Sequence, residues 1–194
     1  MLSCLTVYFV AVDYKCILTF KWNVMVTIRE AKENDAKALI VLRGKLFKET
    51  TFLLLEPDEY NPTEESEANF IRIFSRADNS SIFLALNSDS KIVGFMGVAG
   101  GITNRTKHRA TVFLGVLSEY WGQGIGKQLF DQLFIWLPQS CLSRVELTTA
   151  VNNERAFSLY KKMGFQVEGI KKANISVAGE LIDEYQMSHV ITDN

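Results

Sequence analysis

Cysteine and histidine are scarce in this chain: its 194 residues hold three of the first and two of the second. Cys4, Cys16 and Cys141 share no paired spacing, no C-x-x-C occurs, and His108 and His189 stand far apart, so no metal site is expected. An odd cysteine count without a clear secretion signal points to a reducing compartment, and the cytoplasm is the expected location. Charge of one sign is lacking too. A net charge of −1 is not the basic imprint of a nucleic-acid binder. The strongly apolar residues 5–12 are too few to span a bilayer, Asp13 and Lys15 follow them, and no basic residue precedes them as in a signal peptide. No membrane partner is expected. Internal repeats and low-complexity tracts are absent, and the length suits one domain with a sizeable core.

What is present is concentrated in residues 109–137. The run R-A-T-V-F-L-G-V-L is apolar, β-branched and aromatic, which predicts a strand. Ile125, Leu129, Leu133, Trp136 and Leu137 recur at helical intervals, which predicts an amphipathic helix ended by Pro138. Between them lie Gly122, Gly124 and Gly126. A strand that runs through a glycine-rich turn into a helix offers bare N–H groups at the positive end of the helix dipole, a receptor for phosphate oxygens. Two common phosphate loops fail here. For a Walker loop, Gly126-Lys127 matches, but Trp121 stands where the first glycine belongs and Gln128 replaces the magnesium-holding hydroxyl. For a dinucleotide fingerprint, Lys127 occupies the place of the last glycine. Glu146, about twenty residues beyond the loop, keeps a nicotinamide enzyme as an alternative.

A third pattern fits. Trp121-Gly122-Gln123-Gly124-Ile125-Gly126 and then Asn153-Glu154-Arg155-Ala156-Phe157-Ser158-Leu159-Tyr160-Lys161-Lys162-Met163-Gly164-Phe165 resemble the two motifs of the GNAT superfamily of N-acetyltransferases. The resemblance implies an α+β fold: a single GNAT-type domain with a mixed twisted sheet, splayed parallel central strands and helices on both faces. It implies acetyl-coenzyme A as acetyl donor, held by Leu114, Val116, residues 121–127 (Trp121, Gly122, Gln123, Gly124, Ile125, Gly126 and Lys127), Asn153 and Tyr160. The pantetheine arm is expected between the splayed strands, with Asn153 bonding it. The family's Gln or Arg at the first loop position is Trp121 here, so Gln123 or Lys127 would have to supply that side-chain help. A homodimer is the oligomeric state that many relatives suggest.

The rest of the chain agrees with that order. Residues 27–31 read as a first strand, and residues 1–24 as an extension before a domain spanning 25–194, with Met25 the expected natural start. A helix is expected from Asn34, capped by Asn34 or Asp35, with Ala36, Leu39, Ile40 and Phe47 on one face. A second helix is expected with Asn61, Pro62 and Glu64 at its cap, first and third positions, and Phe70, Ile71 and Phe74 buried. Acids between Glu56 and Glu67 are expected to sit in water and complement the helix dipole rather than attract a cationic acceptor. Strands at 81–87 and 91–98, joined by Asn87-Ser88-Asp89-Ser90, precede the glycine stretch; a strand at 144–149, a helix capped by Asn152 or Asn153, and a hairpin about Ala178-Gly179 follow it.

The chemistry asks for a neutral amine attacking a thioester and for a group that protonates the leaving sulfur. By the resemblance Tyr160 is that acid. Glu146 alternates with Val145 and Leu147 and is either the base, directly or through water, or the partner of Arg144 or another cation. His108 is a second candidate base, and Tyr185 a candidate for the acceptor pocket. Residues 144–187 look most like members that acetylate free amino acids or the N-terminal alanine of ribosomal proteins, which makes a small-molecule or peptide α-amine the expected acceptor, ahead of lysine side chains and polyamines. A non-catalytic coenzyme A sensor is the other reading that Trp121 encourages.

Overall fold

The computed structural model describes residues 26–191. The expectations for residues 1–24, including the start at Met25, fall outside the described residues, as do Cys4 and Cys16. The elements run β1 (Thr27–Glu30), α1 (Ala36–Glu49), α2 (Glu64–Arg76), β2 (Ser81–Leu86), β3 (Ile92–Gly100), β4 (Arg109–Val116), α3 (Ile125–Trp136), β5 (Arg144–Ala150), α4 (Glu154–Lys162), β6 (Gln166–Val177) and β7 (Glu180–Val190). They build one mixed sheet in the order β1-β2-β3-β4-β5-β7-β6. Only β4 and β5 run parallel, and they pair solely at Arg109–Arg144, Ala110–Val145 and Thr111–Glu146. Beyond Thr111 the two strands part. The expected α+β architecture with splayed central strands is what the chain adopts.

Strand alternation sends side chains to two cores, one on each face of the sheet. Val112 and Val145 meet Ile125, Leu129, Phe130 and Leu133 of α3 and Tyr160 of α4 on one face. On the other, Phe95 and Leu84 meet Leu39, Leu42 and Leu46 of α1 and Ile71 of α2. Leu42 and Leu46, rather than Ile40, complete the buried stripe of α1, and fully buried Phe130 joins that of α3. Pro138 sits inside a 3-10 turn, Leu137–Gln139, that prolongs α3 by one step.

Helix starts account for most of the local differences. Asp35 stands at the N-cap of α1 without bonding the helix through its side chain; its carboxylate takes the Lys32 N–H at 2.8 Å and forks onto Arg29 at 2.7 and 2.8 Å. α2 begins two residues later than the Asn-Pro pair suggests, because Thr63 is its cap and its hydroxyl accepts the Ser66 N–H at 3.1 Å. Asn61 and Pro62 stay outside the helix.

The acid expected to lie in water at the α2 start also does otherwise. Glu67 is 3 % exposed and receives Arg43 Nη1 at 2.7 Å. The Arg43 guanidinium lies over the rings of Tyr60 at 4.7 Å, Phe70 at 5.3 Å and Phe95 at 5.8 Å, tying α1, α2 and the connection between them to β3. Burial pushes the Tyr60 phenol up to about 12. Removing one member of a buried pair strands the other charge. Glu67→Ala is therefore expected to cost about 3 kcal/mol of unfolding free energy, read from urea denaturation; a loss below about 1 kcal/mol would mean that the pair is not what ties these elements together.

Candidate functional site

From Val116 the chain passes Leu117, makes a 3-10 turn at Ser118–Tyr120 and enters the glycine loop. Gly122 and Gly124 take φ of 74° and 81°, left-handed backbone that an L side chain resists. That conformation turns the chain so that α3 starts without a side-chain cap. The N–H groups of Ile125, Gly126 and Lys127 meet no acceptor among the described residues. A Cβ at Gly126 would come within 2.8 Å of Leu159, so the missing side chain lets α3 and α4 close together. Three outward donors at the positive end of a helix, flanked by left-handed glycines, make an anion receptor.

The gap between β4 and β5 opens directly before this loop. Leu117 N–H bonds Val93 and Gly101 N–H bonds the Arg109 carbonyl, so the odd-numbered residues of β4 are those turned to β3. The main-chain groups of Val112, Leu114 and Val116 therefore face the gap. An extended ligand arm laid there adds to the sheet as another strand would. Trp121 already reaches into it: its indole N–H donates to the Val116 carbonyl at 2.7 Å, and the Arg155 guanidinium of α4 covers its ring at 4.2 Å. The indole and Arg155 thus bridge the two walls of the gap at its wide end. Gln123 donates to the Glu119 carbonyl at 3.0 Å, and Lys127 pairs with Asp131 at 2.7 Å on the exposed side of α3. A ligand entering beside Val116 must disturb Trp121. Titration with coenzyme A is expected to shift the tryptophan emission of the protein, and Trp121→Phe should abolish the shift; an identical shift in the variant would put the ligand elsewhere.

Asn153 caps α4, its side-chain oxygen accepting the Ala156 N–H at 3.2 Å, which leaves its amide N–H₂ for another partner. Tyr160 follows on the buried face. Its ring stands edge-on to Phe130 at 5.8 Å, and burial drives the phenol well above its ordinary value, so at neutral pH it is a protonated donor.

Glu146 projects from the opposite sheet face. Arg109 Nη1 reaches one of its oxygens at 2.6 Å and Arg144 Nε the other at 3.0 Å. Arg144 forks further onto Glu168 at 2.7 and 2.5 Å, and Ser188 donates to the same carboxylate at 2.7 Å. These bonds hold Glu168 at about 2, far below the usual carboxylate range. Of the two readings of Glu146, the ion pair is the one its contacts show, with Arg109 as a second cation. Glu146 also pairs in register with Thr111, toward the start of β4 and away from the glycine loop that follows Val116, which is not where a dinucleotide enzyme would need its ribose-binding acid. Tyr185 lies on the other face against Phe157 at 4.9 Å and does not share the surroundings of Glu146. His108 contributes its backbone carbonyl to Ser143 and Arg144. Beside Glu146 a cavity of about 310 Å³ is lined by Arg109, Thr111 and the backbone-rich segment after β3. Arg109 and Thr111 were not legible as site residues, because only the parallel pairing of two distant strands brings them to Glu146. Among the described residues no three His, Cys, Asp or Glu side chains gather as a metal site would need, and no helix is long and apolar enough to cross a membrane.

Residues 47–165 match the Acetyltransferase (GNAT) family. The chain is 31 % identical over 106 residues to the L-amino acid N-acetyltransferase AaaT of Escherichia coli, covering 53 % of this chain and 64 % of that enzyme. It is 28 % identical over 147 residues to the peptidyl-lysine N-acetyltransferase YjaB of Salmonella typhimurium, covering 75 % and 86 % of the two chains. The match thus spans less than two thirds of the length of the first of these relatives. The crystal structure of a GNAT-family acetyltransferase from Streptococcus pneumoniae superposes with a TM-score of 0.83 at 30 % identity, covering 86 % of this chain and all of that one. An uncapped helix behind a glycine loop, a parallel pair that parts after three residue pairs and a matched segment that spans both motifs lead to one statement: this chain belongs to the GNAT acetyltransferase family.

Proposed function

We propose that this chain transfers an acetyl group from acetyl-coenzyme A to the α-amine of an amino acid or of a protein N-terminus, by direct attack in a ternary complex. One observation carries the reading: the unpaired edge of β4, Val112 to Val116, leads straight from the three uncapped N–H groups of α3 to the point where β4 and β5 rejoin. The residues present fit the donor. Gly124, Ile125, Gly126 and Lys127 offer main-chain donors to a diphosphate, Leu114 and Val116 offer a strand edge to an amide-bearing arm, and Asn153 offers its amide N–H₂ across the gap. Bound acetyl-coenzyme A supplies an acyl thioester whose carbonyl carbon a neutral amine attacks.

Tyr160 serves as the acid. As the new C–N bond forms and the C–S bond breaks, its O–H protonates the departing sulfur, and solvent restores the phenol. That transfer runs from a phenol above pKa 10 toward a thiolate near 8.5, so it proceeds only because reprotonation from water drains the product. The amine must give a proton to solvent before it attacks; a peptide α-amine, with a pKa near 8, loses it more readily than a lysine side chain near 10.4. The E. coli relative named for L-amino acids supports the α-amine, and the Salmonella relative named for peptidyl-lysine supports the competing acceptor.

Release of free thiol from acetyl-coenzyme A in the presence of amino acids, peptides and polyamines tests the reading. Turnover with an α-amine is the expected result. Binding of coenzyme A with silence across every amine would favour a non-catalytic sensor, a reading for which Trp121 bonded to the Val116 carbonyl and Glu146 held by two arginines are the supporting observations.

A further inference from the structure

The apex of the gap, at Thr111 and Glu146, opens on the sheet face opposite α3 and α4 into the cavity of about 310 Å³. The charges that meet about Glu146 are nearly spent. Arg144 gives Nε to Glu146 and both terminal nitrogens to Glu168, and Glu168 is further held by Ser188. Glu146 has a guanidinium on each oxygen. Arg109 is the exception. A guanidinium carries five N–H donors in a planar fork. The side chain of Arg109 spends Nη1 on Glu146, makes no other hydrogen bond among the described residues, and is 45 % exposed at the cavity wall.

The wall opposite is built to hold its shape. Asn79 donates to the carbonyls of Gly101 and Lys107, both at 3.0 Å, and the Thr103 and Thr106 hydroxyls meet at 2.7 Å. A Cβ at Gly101 would strike the Thr106 carbonyl at 2.3 Å, so the segment closes on itself too tightly for a side chain there. A rigid pocket with one under-used guanidinium next to a paired carboxylate suits a small ligand that carries both charges itself. In an α-amino acid the carboxylate and the amine flank a single carbon, so fixing the first aims the second.

We propose that Arg109 binds the α-carboxylate of a free α-amino acid and thereby sets the amine beside Thr111 and Glu146 at the apex of the gap. The assignment rests on the acetyltransferase reading of the same site and narrows it, because a protein N-terminus presents an amide where a free amino acid presents a carboxylate. A bidentate carboxylate on arginine is a strong, directional contact, and its loss leaves donors facing the cavity unanswered.

The test compares kcat/KM for each L-amino acid that is accepted with that for its α-carboxamide, with acetyl-coenzyme A as donor, in the wild-type chain and in Arg109→Gln and Arg109→Lys. The amides are expected to fall by about 30-fold or more. Arg109→Gln should bring the acid-to-amide ratio close to one, and Arg109→Lys, which keeps the charge but not the fork, should retain part of it. Amides turned over as well as acids, or a ratio that Arg109→Gln leaves unchanged, would overturn the assignment. Turnover of peptides or polyamines with no amino acid accepted would overturn it and spare the acetyltransferase reading; silence with every amine would remove both.

Discussion

Replacing Tyr160 by phenylalanine is expected to lower turnover by about 10²-fold or more while leaving coenzyme A affinity within a few-fold of the wild type. The ring is what packs: it is 8 % exposed, edge-on to Phe130 and tilted against Phe165, and phenylalanine keeps those contacts. The hydroxyl makes no hydrogen bond among the described residues, so its removal leaves no orphaned partner and the melting temperature should hardly move. What would disappear, on the proposed role, is the proton for the leaving sulfur. Because burial raises the phenol above its ordinary value, the protonated form persists through neutral and mildly alkaline pH. Any loss of rate as this group ionises must fall above pH 10, its unperturbed value. Turnover by the variant equal to that of the wild type would take Tyr160 out of the chemistry and leave it as core.

The second large effect separates charge from backbone at the glycine loop. Gly124 sits at φ 81° with nothing within 4 Å of a built Cβ, so there is room for a side chain and the constraint is conformational. Asparagine and aspartate both tolerate left-handed backbone better than other residues. Gly124→Asn should therefore fold and weaken coenzyme A binding by only a few-fold. Gly124→Asp has nearly the same shape but brings a negative charge to the donors meant for a diphosphate. At an effective dielectric near 20, two charges some 6–8 Å apart repel by about 2–3 kcal/mol, so the aspartate variant should bind about 10²-fold more weakly than the asparagine variant. Raising ionic strength should narrow the difference. Equal affinities in the two variants would mean that no phosphate lies near Gly124.

Local patterns carried the parts of this fold that the sequence made readable. The strand at 109–116, the glycine turn and the helix after it are adjacent in the chain, and each has a signature in residue type or periodicity. The order of strands and helices followed in the same way. The start of α2 was displaced because two cap-forming residues, Asn61 and Thr63, compete within three positions, and Thr63 takes the cap with its hydroxyl on the Ser66 N–H. Glu67 was misread for a different reason: its partner Arg43 lies on another helix, and nothing near Glu67 in the chain announces it. The same holds for the site. Period-two alternation set Glu146 apart from Val145 and Leu147, and Arg144 two residues upstream was legible as a partner, but Arg109 comes from a neighbouring strand. Tyr185 illustrates the sheet's parity. It pairs with Thr149, on the face of Leu147, so it cannot share the cavity of Glu146.

Trp121 is where family pattern and physical reading part company. A Gln or Arg at that place would offer donors to a diphosphate, whereas the indole offers its single donor to the Val116 carbonyl. Arg155, stacked on the ring, brings a guanidinium beside it. On the proposed reading the site would depend more on main-chain donors than the family pattern would lead one to expect.

A crystal structure of the chain with coenzyme A tests that dependence most directly. Diphosphate oxygens about 2.7–3.1 Å from the N–H groups of Gly124 to Lys127, with the pantetheine arm along Val112 to Val116, are the expected result. A cofactor seated anywhere else, or held by side chains with those N–H groups left bare, would contradict the reading at its root.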